Sequence, residues 1–220
     1  MFPIELISSF VAIGMVAILI SPRVEMNALL KRMIGSFIFL IAVGVTILNN
    51  SDGQFTVPPL GLPFVFQDKT TLMVGIIALL LIVADYFAAG NQENIDSYPP
   101  IRTAVWTPGL FFKSIATWGI YLTCYEMVFR GVFFFPAIDA YGLVPALVLN
   151  AVVCSIAHLL KSKREALVSI PMGLLMCYIA WVSGSFWYAA FLHTVLAVAH
   201  EIFSIRANPN MRFNFSVTQN

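Results

Sequence analysis

The stretch Thr123–Phe135, TCYEMVFRGVFFF, sets a glutamate and an arginine four residues apart in an otherwise almost wholly apolar run. On a helix, Glu126 and Arg130 share one face, with the acid N-terminal to the base, the better order for an ion pair. Each charge then neutralises the other, which lets an apolar segment hold both. A structural clamp between helices is one reading of such a pair, because buried pairs often specify packing without doing chemistry. A working site is the other.

The rest of the chain shows what surrounds that run. Of 220 residues, 60% are hydrophobic and only 10% charged, and the mean hydropathy is +0.87. That composition lies far from a water-soluble domain and predicts a polytopic membrane protein. A net charge of +1 with no basic stripe argues against nucleic-acid binding. No phosphate-binding glycine loop is present. Cys124, Cys154 and Cys177 are odd in number, lie in apolar segments and form no CxxC, so they read as small packing residues. Glu5 precedes the first apolar run, which lacks the basic flank and cleavage site of a secretory signal and is expected to be a retained span.

A bilayer core of about 30 Å needs roughly 20 apolar residues. By that measure seven spans are expected, near 5–21, 33–49, 71–89, 114–135, 143–160, 166–183 and 186–205, in an all-α helix bundle. The organisation expected is 1–104 for N-terminal helices and loops, 105–205 for a core, and 206–220 for a tail. Residues 101–113 read either as an interfacial segment or as a re-entrant turn. Alternate threading puts Arg23, Lys31, Arg32, Arg102, Lys113, Lys161, Lys163, Arg164, Arg206 and Arg212 on one side and Lys69 on the other. The positive-inside tendency makes the first side cytoplasmic, with the N-terminus outside and the C-terminus inside.

All three histidines, His158, His193 and His200, fall within expected spans, together with Glu126, Arg130, Asn150 and, nearer an end, Asp85. Such groups cost from about 2.5 kcal/mol upward on insertion and normally face the bundle interior and find partners. His193 and His200 are seven residues apart and share a helical face, with Ala197 between them.

In order and spacing these residues resemble the CPBP family. That is the CAAX-protease and bacteriocin-processing group of intramembrane glutamic endopeptidases, which includes Rce1-type prenyl-protein proteases and the Abi proteins. The family shows Glu-Glu-x-x-x-Arg, usually continued Phe-Arg-Gly, then Phe-x-x-x-His, then His-x-x-x-Asn or Asp. Here YEMVFRG carries Glu126, Phe129, Arg130 and Gly131, CSIAH carries His158, and SGSFWYAAFLH leads to His193, over about residues 105–200. The resemblance implies a core in the last four spans and peptide-bond hydrolysis as the ancestral chemistry, in a bacterial inner membrane. It also implies which parts have changed. Tyr125 stands at the first Glu, the family's general base, Cys154 at the Phe, and Ala197 at the Asn or Asp that assists the oxyanion.

A base contributes about 10² to 10⁴ in rate, and an oxyanion donor about 10² to 10³. Tyr125 is no base near neutral pH, since a phenol has a pKa of about 10. Glu126 takes that part only if it turns towards the histidines instead of Arg130. One residue is about 100° of helical rotation, so that turn needs a local change in geometry. Asn150 and His200 are candidates for the missing donor. Three function classes stay open. One is a degenerate homologue serving as a membrane binding module or complex subunit. Another is an endopeptidase acting on a membrane-anchored or prenylated peptide through Glu126, His158 and His193. The third is a metal or proton pathway. No HExxH is present, since HEIFS at 200–204 lacks the second histidine, and no metal or other cofactor is expected. The partners expected are lipids and membrane proteins or peptides, with no nucleic acid.

Overall fold

The computed structural model describes residues 4–49, 61 and 66–214. Among these the chain is all-α except for two short strands. The elements are α1 (Ile4–Ile20), α2 (Ala28–Asn49), α3 (Asp68–Ala88), α4 (Gln92–Ser97), β1 (Val105–Trp106) and α5 (Pro108–Glu126). A π-helical segment (Met127–Phe134) follows, then α6 (Phe135–Tyr141), α7 (Leu143–Leu159), α8 (Lys163–Ser183), α9 (Trp187–Ala207) and β2 (Arg212–Phe213). The loop expected over 49–71 and the tail over 206–220 lie partly outside the described residues.

The seven apolar runs each form a helix, and the protein is a polytopic membrane helix bundle. α2, α3, α8 and α9 are long and apolar enough to cross a bilayer, and α1 and α7 are shorter apolar helices. α5 and the π segment run unbroken from Pro108 to Phe134. Residues 101–113 are not re-entrant. They hold β1 and the opening turn of α5, which Pro108 begins and Thr107 caps by accepting from the Leu110 amide. α8 starts from Ser162, whose hydroxyl accepts from the Glu165 amide, and ends at Gly184, whose φ of 64° turns the chain towards α9.

α1 and α2 pack on α5 and the π segment, whereas α3 packs on α9 and α8. The polar loops gather at one end. There Lys161 Nζ donates to the Tyr98 hydroxyl (3.2 Å), Arg164 pairs with Glu93 (3.3 Å), and the Arg212 amide donates to Ala104 O (2.9 Å) in the parallel β1–β2 pair. At the other end Gly61 lies against Phe135, Ser185 and Phe186, so closely that an added Cβ would sit 2.7 Å from the Phe135 ring. The core between the ends is aromatic and small-residue packing around Phe129, Phe133 and Phe134, all fully buried. Away from it α3 turns Leu72, Ile76, Leu79, Leu80, Val83 and Phe87 outward, the surface a lipid-facing helix needs.

One expectation fails at the polar end. Arg32 is not an interfacial cation: it lies inside α2, 4% exposed, and pairs with Glu201 of α9.

Candidate functional site

Glu126 is the last residue of α5 and is fully buried. Its Oε2 lies 3.0 Å from Arg130 Nη1, and its Oε1 accepts from His193 Nδ1 at 2.6 Å. The choice between facing Arg130 and facing a histidine is therefore not exclusive. The change in geometry that the sequence argument required occurs immediately downstream, where the helix widens into the π segment. Such turns are rare and recur at functional sites.

A carboxylate only accepts, so His193 Nδ1 carries the proton and Nε2 is the nitrogen left with a lone pair. His193 keeps about a third of its side chain exposed. His158 is arranged alike: its Nδ1 donates to Cys154 O at 2.9 Å, again leaving Nε2 as the acceptor. With Nδ1 engaged, each ring presents Nε2, a nitrogen that accepts a proton on imidazole and donates only on imidazolium.

Tyr125 stands between the two histidines. Its ring meets His193 edge-on at 5.5 Å and His158 at 6.5 Å, stacks on Phe129 at 4.2 Å, and sends its hydroxyl to Cys154 Sγ at 3.3 Å. Two of the three positions that depart from the family motifs thus touch each other, a larger side chain at one matched by a smaller one at the other. His158 comes to the site through Tyr125, not through Glu126.

The secondary candidates lie elsewhere. Asn150 Nδ2 donates to the backbone oxygen of Phe129 at 2.7 Å, which commits it to the helix and not to an oxyanion. His200 Nδ1 bonds Asp85 Oδ1 at 2.7 Å, with the Tyr98 ring edge-on at 4.6 Å, so it joins α3 to α9 away from Glu126. Ala197 packs against the apolar core.

Sequence reasoning missed a second buried network. Glu201 accepts from Ser114 Oγ (2.6 Å), Arg32 Nη2 (3.3 Å) and Trp118 Nε1 (3.3 Å), and the Arg32 guanidinium lies 3.7 Å over the Trp118 ring. Glu201 was readable as a carboxylate within a span, but its neighbour His200 drew attention instead. At the polar end, burial pushes the Tyr98 phenol up, while Tyr98 and Glu165 outweigh burial at Lys161 and hold its ammonium above its ordinary range. No group of three or more His, Cys, Asp or Glu residues suited to a metal occurs among the described residues.

Two histidines, a phenol and a carboxylate shared with an arginine, carried on α5, the π segment, α7 and α9, are the site that any family assignment has to fit. Residues 105–199 match the Rce1-like family, the type II CAAX prenyl endopeptidases. The Rce1-like segment runs from β1 into α9 and takes in Glu126, Arg130, His158 and His193. It stops short of His200 and Glu201. No curated protein and no solved structure gives a significant match.

Proposed function

We propose that the protein is a CPBP-like integral membrane protein that keeps the frame of an intramembrane peptidase and uses it for binding, as a membrane binding module or a subunit of a membrane complex. One observation carries this reading: the Tyr125 ring fills the space between His158 and His193, and its hydroxyl is turned to Cys154. Hydrolysis needs a base beside a water at that place, and a phenol supplies neither a carboxylate nor the room. Losing the base alone removes about 10² to 10⁴ in rate. The bacterial inner membrane, with the cationic end of the bundle cytoplasmic, is the setting this reading adopts, and its partners are lipids and membrane-protein helices.

The test is turnover of prenylated and transmembrane model peptides by the purified protein, beside mild-detergent purification for stoichiometric partners. No cleavage by the native chain, and cleavage by Tyr125→Glu combined with Cys154→Phe, is expected. Turnover by the native chain that His193→Ala abolishes would overturn the reading.

The 2.6 Å contact between Glu126 and His193 favours a second reading, an active endopeptidase for a membrane-anchored or prenylated peptide. In it Glu126 orients His193 and stabilises its imidazolium, and Nε2 takes the proton of the attacking water, the division of labour of a carboxylate–histidine pair. Native turnover lost in both Glu126→Gln and His193→Ala, and retained in His158→Ala, would select it.

A further inference from the structure

We propose that Asn150 is a positioning residue for this site: by holding the Phe129 carbonyl it fixes the π segment, and through it the Glu126 carboxylate against His193. The inference rests on the geometry around Glu126 and holds whether the site binds or cleaves.

The π segment needs support. Its i→i+5 pattern is poorer than the α pattern and is rare in long runs. Pro136 disfavours the alternative, since an α-helix carried through it would leave the carbonyl four residues earlier, that of Val132, without a donor and against the ring. Inside the segment each carbonyl takes its helical donor five residues on, and a carbonyl has a second lone pair to offer. Asn150, fully buried on α7, supplies a donor from outside the helix at 2.7 Å. An asparagine inside an apolar helix is a poor helix former, and burying its amide without a partner costs about 1–3 kcal/mol. That bond meets the Nδ2 side of the amide, while Oδ1 has no partner among the described residues.

The bonded carbonyl belongs to the residue before Arg130 and lies in the turn that follows Glu126. Moving it rotates both members of the ion pair. Arg130 is otherwise held by a long bond from Nη2 to Gly173 O at 3.4 Å, by Cys177 and by the Tyr125 and Phe129 rings, and two of these contacts, Tyr125 and Phe129, belong to the same helix and move with it. Glu126 would then lose its alignment with His193, while the His200–Asp85 pair, on α9 and α3, stays as it is.

The experiment uses the full chain, labelled with ¹⁵N-histidine, in detergent micelles. In the native protein the Nδ1 proton of His193 gives a far-downfield resonance, assigned by its loss in Glu126→Gln; that of His200 is assigned by Asp85→Asn. In Asn150→Leu and Asn150→Ala the His193 resonance is expected to be lost or moved upfield and that of His200 to stay. Pro136→Ala, which lets the helix return towards α geometry without touching Asn150, is expected to move His193 in the same direction. An unchanged His193 signal in the Asn150 and Pro136 variants that fold overturns the proposal. So does a shift of His193 and His200 together, which marks general loosening.

Discussion

Two arginine–glutamate pairs are buried in this bundle, and they are finished differently. At Arg32 and Glu201 both carboxylate oxygens receive hydrogen bonds, the guanidinium reaches Ser114 O, Ser114 Oγ and Thr117 Oγ1, and its flat face covers Trp118. At Arg130 and Glu126 the 3.0 Å approach is not aligned as a hydrogen bond, and Arg130 Nε has no acceptor among the described residues. The carboxylate's one well-directed bond goes to His193. A network with both carboxylate oxygens and both terminal guanidinium nitrogens engaged has a single geometry and serves as a clamp between α2, α5 and α9. A network left incomplete keeps its carboxylate responsive to a titratable neighbour, and that separates a site from a staple.

The comparison breaks most visibly when one partner is removed. Glu201→Ala leaves Arg32 charged in the core and is expected to cost about 3–5 kcal/mol, read from reversible unfolding in mixed micelles. Replacing whole pairs sharpens the contrast. Arg130→Met with Glu126→Leu leaves only the partly exposed His193 Nδ1 without its acceptor and is expected to lose under about 1 kcal/mol, because well-packed apolar substitutes often match a buried pair. Arg32→Met with Glu201→Leu also strands the Ser114 hydroxyl and Trp118 Nε1, and is expected to lose about 1–3 kcal/mol. Equal losses for the two double variants would erase the distinction.

Asp85→Asn is smaller still. The pair it breaks is partly exposed on both sides, so a change of about 0–1 kcal/mol is expected in the same unfolding measurement. Smallest is the effect of pH at Lys161. Its pKa is raised on folding, so its contribution is complete below the unfolded value of about 10.4 and is lost only as pH rises through the folded one. The difference in unfolding midpoint between the native chain and Lys161→Met is therefore expected to be the same at pH 6 and pH 9.

Helix positions were legible because hydropathy measures what a bilayer measures: the seven apolar runs became helices, with ends displaced by a few residues. The pairing of Glu126 with Arg130 was legible from i,i+4 spacing. Its second contact, to His193, was not, because it joins helices far apart in sequence and depends on a π turn that no periodicity announces. Arg32 was misplaced for a related reason. A cation five residues into a helix looks interfacial until its partner is known, and Glu201 carries no local mark of being that partner. Asn150 stood out for its polarity, but a partner that is a backbone carbonyl on another helix is invisible in a list of side chains.

The clasp between β1 and β2 also sets an order of events. Val105 finds Arg212, and Trp106 finds Phe213, only after every helix from α5 to α9 has been made. During synthesis the Rce1-like segment therefore stays unlatched while its helices enter the bilayer one by one, and it locks when the residues after α9 leave the ribosome. A nascent chain stalled just short of that point would hold all its histidines and still be open to quality-control proteases.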